Sequence, residues 1–208
     1  MSIVYILTNE AMPGYIKIGR TETSVEQRMR ELDKTSTPLP FQCYFAARVS
    51  DHMKLEKTLH TAFGDHRVRS NREFFKLDPY RAKVVIELLA IEDVTPRDDI
   101  FEDLESADAV ERATRLSGRF DFHENGIAPD SVLQFVSDLS ITCTVKDRHN
   151  VIFNNEVMSP SKAAQQAKVL LGGKSHAMQG PIYWLYNGET IASIRDQRLE
   201  EQGEQLAE

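Results

Sequence analysis

Residues 3–21 constrain the fold most strongly. Ile3-Val4-Tyr5-Ile6-Leu7-Thr8 and Tyr15-Ile16-Lys17-Ile18-Gly19-Arg20-Thr21 are rich in β-branched and aromatic residues, and Asn9-Glu10-Ala11-Met12-Pro13-Gly14 separates them. Two such runs around a loop with turn chemistry predict a β-hairpin. Tyr5 and Lys17 then stand one on each strand. A phenol and an ammonium on facing strands can converge on a phosphate, because both donate hydrogen bonds to its oxygens. The alternative is an edge hairpin whose tyrosine merely packs.

The 208 residues suffice for one large domain or two small ones. No stretch has the roughly 18 consecutive apolar residues of a membrane helix, and the N-terminus lacks a signal-peptide pattern. The expectation is a cytoplasmic protein with no membrane partner. Cys43 and Cys143 are far apart, with no CxxC spacing, so buried reduced thiols are expected. The net charge of −7 is unevenly spread: about +3 over residues 1–90 and about −10 over residues 91–208. The N-terminal part can therefore still present a basic face to a polyanion.

Beyond the hairpin, Ser24-Val25-Glu26-Gln27 opens a helix to about Lys34 with Val25, Met29 and Leu32 as its apolar stripe. Arg28 lies at the edge of that stripe, where its guanidinium would lean over the sheet. Residues 41–49 predict a buried strand, and Asp51–Phe63 a second helix stopped at Gly64. His52, Glu56 and His60 form a polar row on that helix, read as a solvated face rather than a metal site. His60, beside the core edge, is the better candidate for a role in a site. The loop His66–Arg72 is basic and polar, of a kind that contacts phosphates, with Arg67, Arg69, Asn71 and Arg72 as its candidate groups. Glu73-Phe74-Phe75 follows, then Asp78-Pro79 caps a helix reaching about Ile91.

Residues 92–120 predict an acidic linker with one helix, Asp103–Leu116. Short strands follow at 126–130, 132–135, 141–145 and 151–153. A helix is expected over Ser161–Leu171, then the Tyr183-Trp184-Leu185-Tyr186 cluster, an Asn187-Gly188 turn and a last helix over Glu189–Gln197. The fold class is α+β: a small antiparallel sheet flanked by helices, then a second small α+β domain over 121–200 and an acidic tail over 201–208.

Val4-Tyr5-Ile6, Lys17-Ile18-Gly19-Arg20-Thr21, Arg28, Leu59-His60 and Glu73-Phe74-Phe75 occur in an order that resembles the GIY-YIG nuclease superfamily, nearest to its phage and bacterial branch with a KIGRT second motif. The resemblance covers about residues 1–90, within a first domain expected over 1–91. It implies a DNA endonuclease in which a hairpin tyrosine helps activate water, a helix arginine binds the phosphate and a glutamate holds one divalent metal, Mg²⁺ or Mn²⁺. Carried over, these are Tyr5, Arg28 and Glu73, with Lys17 and His60 as further catalytic candidates and Arg20 as a DNA contact. Two departures stand out. Lys17 replaces the usual second tyrosine, and no asparagine follows Glu73 at the family's usual distance.

The C-terminal half resembles the RAMA-type module through Gly126-Ile127-Ala128-Pro129, Ser159-Pro160-Ser161-Lys162-Ala163-Ala164, Gly180-Pro181-Ile182-Tyr183-Trp184 and Gly188-Glu189-Thr190-Ile191. That resemblance implies a DNA-targeting domain, restriction-like, in which Trp184 stacks on a base. Its alternative is an aromatic cluster that fills a small core. The function implied for the whole is metal-assisted phosphodiester hydrolysis on DNA. A DNA-binding module with weak or no catalysis is the second reading, and an RNA- or adaptor-binding protein the third. A homodimer is allowed but not specified.

Overall fold

A computed structural model describes residues 2–34, 37–69, 72–98, 104–116, 118–173 and 178–205. The chain divides into two compact units, Met1–Ala113 and Thr114–Glu208. Each is α+β, built on one antiparallel sheet.

In the first unit, β1 (Ser2–Thr8) and β2 (Tyr15–Thr21) form the expected hairpin. Its loop is closed by backbone bonds from Met12 to Asn9 and from Tyr15 to Met12, with Gly14 supplying φ +79°. β3 (Gln42–Val49), β4 (Phe74–Lys76) and β5 (Ala90–Asp93) complete a sheet of order β4-β2-β1-β3-β5.

Helices cover both faces, so the central strands show no apolar–polar alternation. α1 (Val25–Leu32), capped by the Ser24 hydroxyl, packs Val25 and Met29 against Ile3, Tyr5 and Leu7. By strand alternation Val4 and Ile6 point to the other face. There α2 (His52–Ala62) and α3 (Pro79–Glu87) lie against the sheet.

The structure moves two predicted boundaries. The helix after Asp78-Pro79 ends at Glu87, and residues 90–93 become β5, paired to β3. The Thr95 hydroxyl also accepts from the Ala46 amide, so the first residues assigned to the linker belong to this sheet. The linker helix is α4 (Leu104–Leu116).

In the second unit, β6 (Val132–Phe135), β7 (Asp138–Val145), β8 (Val151–Phe153), β9 (Glu156–Met158), β10 (Trp184–Tyr186) and β11 (Glu189–Thr190) form a sheet of order β11-β10-β6-β7-β8-β9. Residues 126–130 form turns rather than a strand. α5 (Pro160–Leu170) starts where expected. α6 (Ile191–Gln205) runs into the segment read as a tail.

Gly180 packs directly on the start of α5. A Cβ there would lie 2.3 Å from the Ser161 amide nitrogen, so only glycine fits. Trp184 is fully buried, edge-on to Phe135 and Phe153, and its indole N–H donates to the Pro160 carbonyl (2.9 Å). This corrects the stacking role expected of Trp184: with no face open to solvent, it is the centre of a core. The polar stretch Lys174-Ser175-His176, read with Trp184 as part of the same candidate surface, lies outside the described residues. No described helix is long and apolar enough to cross a membrane.

Candidate functional site

The hairpin register places Tyr5 directly opposite Gly19 and Leu7 opposite Lys17. Tyr5, Lys17 and Gly19 therefore share the face that α1 covers. The Tyr5 ring is 1% exposed and lies across Gly19, where a Cβ would come within 2.6 Å of its hydroxyl oxygen. The hydroxyl accepts from Arg28 Nε (3.3 Å), and Arg28 Nη1 donates to Glu31 one turn on (2.9 Å). Two of five guanidinium N–H donors are thus engaged.

The second pair is Lys17 with Glu73. Lys17 is 6% exposed, and its ammonium donates to Glu73 Oε2 while lying 5.5 Å from the Phe74 ring centre. Glu73 stands one residue before β4, at the sheet edge, where groups of both faces reach it. Burial pushes its carboxyl up. The Lys17 hydrogen bond and charge, with the charges of His60 and Arg28, outweigh that and hold it below the usual carboxylate range. A depressed value means the pair is intact at neutral pH and is lost only in acid, as the pH falls through that lowered value.

The Tyr5 phenol moves the other way. Burial raises it, Glu73 and Glu56 add to the rise, and the Arg28 hydrogen bond and charge only partly offset them. Since its oxygen already accepts from Arg28, its own proton is the free group. Tyr5 can orient a water or a phosphate oxygen, but it is not a base at neutral pH. Tyrosinate absorbance near 295 nm checks this: Tyr5→Phe is expected to remove a step that titrates above pH 10. Loss of a step near neutrality would contradict it.

The remaining candidates of the first unit stand elsewhere. His60 donates from Nε2 to the Ile18 carbonyl (3.1 Å) and lies against Phe75 (5.1 Å between centroids). Phe75 pairs with Ile16, on the face opposite Tyr5, so His60 braces β2 and does not meet the phenol. Arg20 is on that opposite face too, bound to Glu56 (2.9 Å). The helical row of His52, Glu56 and His60 is consequently split among different partners, with His52 facing Glu22 (3.8 Å). In the basic loop, Arg67 donates to the Arg72 carbonyl and lies over Phe75. Arg69 and Arg72 are exposed. Asn71 lies outside the described residues.

Among the described residues, no group of three or more His, Cys, Asp or Glu could hold a metal ion. Glu73 remains. Its side chain is 40% exposed, and only one of its oxygens accepts a hydrogen bond from a described residue. Mg²⁺ is commonly held by one or two carboxylates, completed by water and substrate phosphate. A single half-open carboxylate fits that mode.

Sequence reasoning gave Gly19 no role of its own, read Glu56 as part of a solvated row and missed Glu31 altogether. Gly19 was readable in principle, since the hairpin register sets it across from Tyr5. The partners on α1 and α2 depend on tertiary packing. Comparisons with curated proteins and with solved structures find no match. Residues 2–90, the part of the chain that carries Tyr5, Lys17, Arg28 and Glu73, match the T5orf172 domain family.

Proposed function

We propose that the first unit is a DNA endonuclease site that hydrolyses a phosphodiester with Tyr5, Lys17, Arg28 and Glu73. The observation that carries this reading is the convergence of two linked pairs, Tyr5–Arg28 and Lys17–Glu73, brought from β1, β2, α1 and the edge of β4. The match of residues 2–90 to the T5orf172 domain supports a nuclease-like or DNA-binding module, and the GIY-YIG resemblance supplies the finer assignment. Arg28 keeps three N–H donors for phosphate oxygens. Lys17 adds a fixed positive charge where negative charge grows. Tyr5 orients the attacking water through its own proton, and Arg69 and Arg72 meet the backbone of the strand. Glu73 would hold a divalent cation such as Mg²⁺, which when bound polarises the phosphate and offsets charge on the leaving oxygen. The second unit, RAMA-like by resemblance, would select the DNA with surfaces other than Trp184.

Two observations favour a binding-only reading. Lys17 already occupies an oxygen of Glu73, and the Tyr5 phenol is raised rather than activated. Supercoiled-plasmid nicking with Mg²⁺ decides between the two. Hydrolysis predicts nicking that EDTA stops, and turnover lowered by about 10²–10³-fold in Arg28→Ala, the scale of one lost transition-state donor. DNA affinity should change less than turnover. Absence of nicking with intact DNA binding would establish the binding module instead.

A further inference from the structure

Met12 of the hairpin loop, Tyr15 at the start of β2, Val68, Arg69 and Arg72, and Phe74 of β4 line a hollow of about 310 Å³ that is largely open to solvent. It is separate from the two linked pairs but shares a wall with them. Phe74 lines the cavity, and the Lys17 ammonium lies 5.5 Å from the centre of that same ring.

The lining falls into two chemical classes. Two aromatic rings, a thioether and a valine make an apolar interior. Two exposed guanidiniums stand beside it, and neither pairs with an acid among the described residues. Tyr15 is 39% exposed and Val68 51% exposed, so both leave apolar surface open to a ligand.

The volume is at the small end for a ligand site, enough for one planar ring system and too little for a folded segment. An apolar aromatic hollow flanked by cations that no described acid neutralises, next to a cluster read as phosphate-binding, suits an unpaired base. Rings stack on its faces irrespective of its identity, and arginines meet the phosphates on either side. An apolar peptide side chain would leave both arginines without a role.

We propose that this cavity takes an unpaired nucleobase adjacent to the phosphate bound by Lys17 and Arg28, with Tyr15 as the stacking residue that selects for it. The inference rests on the reading of that cluster as a DNA phosphodiester site. It implies that the favoured substrate carries an unstacked base beside the cut, which a regular duplex supplies only at the cost of unpairing.

The test uses the full chain in EDTA, so that no strand is cut. One duplex carries a single bulged 2-aminopurine nucleotide, a second carries an abasic residue at the bulge, and a third is fully paired. The expected result is affinity for the base-bearing bulge about 10–100-fold above that for the abasic bulge, the range that stacking one base provides, together with quenched 2-aminopurine fluorescence. Tyr15→Ala should bring the two bulges within about twofold and leave the paired duplex unchanged, whereas Tyr15→Phe should keep the preference. Equal affinity for both bulges in the unaltered protein, or a preference that survives Tyr15→Ala, overturns the base site while salt-sensitive binding of the paired duplex leaves the DNA reading standing. Failure to bind any of the three duplexes overturns both.

Discussion

Glu73→Ala is expected to abolish Mg²⁺-dependent cleavage and also to lower the stability of the first unit. The first effect follows from losing the one carboxylate that the cluster offers a cation. The second comes from Lys17. Its ammonium is nearly inaccessible, and Glu73 is the partner that satisfies it. Stranding a buried donor costs about 1–3 kcal/mol, and more when the donor is charged, so part of any activity loss in the alanine variant is structural. Glu73→Gln separates the two effects, because the amide oxygen can still accept from Lys17 but carries no charge for the cation. The glutamine variant should unfold near the unaltered protein in urea and remain inactive. Equal destabilisation of both variants would show that charge, rather than hydrogen bonding, holds Lys17.

Gly19→Ala should be almost as damaging, although residue 19 has no chemistry of its own. The added Cβ would sit 2.6 Å from Tyr5 Oη and 2.7 Å from Cζ, well inside contact distance. The Tyr5 ring cannot retreat, being buried among Ile3, Leu7, Val25, Met29 and Phe41. Overpacking of this kind costs about 1–3 kcal/mol, and the ring can relieve it only by moving its hydroxyl away from Arg28. Misplacement by about 1 Å at a reacting centre can cost about 10²-fold in rate. A double-mutant cycle in urea checks the mechanism. With Tyr5→Ala present, the penalty of Gly19→Ala should shrink, since the clash partner is gone. Additive penalties would place the strain elsewhere.

How far the sequence reached differs by element. The hairpin was legible because β1 and β2 are long, β-branched and joined by turn residues, and the caps Ser24, Asp51 and Asp78 mark helix starts that the structure keeps. β4 and β9 have three residues each, too few to show a period. β9 was signalled only by Asn154 and Asn155, which take positive φ in the turn before it. β5 was hidden because Leu88, Leu89 and Ile91 continue an apolar run that reads as helix, yet all three are exposed.

Within the site, Tyr5, Lys17 and Arg28 stood out from hairpin and helix patterning, and the resemblance added Glu73 and the roles of Tyr5 and Arg28. Counting strand register from Tyr5 would have put Arg20, opposite Val4, on the other face. Trp184 shows the reverse limit: an aromatic cluster reads alike whether it is a binding surface or a core, and only its burial against Phe135 and Phe153 distinguishes the two.

Hydrolysis of a phosphodiester bond is the activity proposed for this cluster. The most direct measurement is single-turnover cleavage of an end-labelled duplex by the full chain at saturating protein, in Mg²⁺ and in EDTA, beside Glu73→Gln at matched DNA occupancy. The unaltered protein is expected to cleave in Mg²⁺ and not in EDTA, and the glutamine variant not at all although it binds the duplex equally well. Cleavage that persists in EDTA, or that Glu73→Gln performs at the unaltered rate, would contradict it.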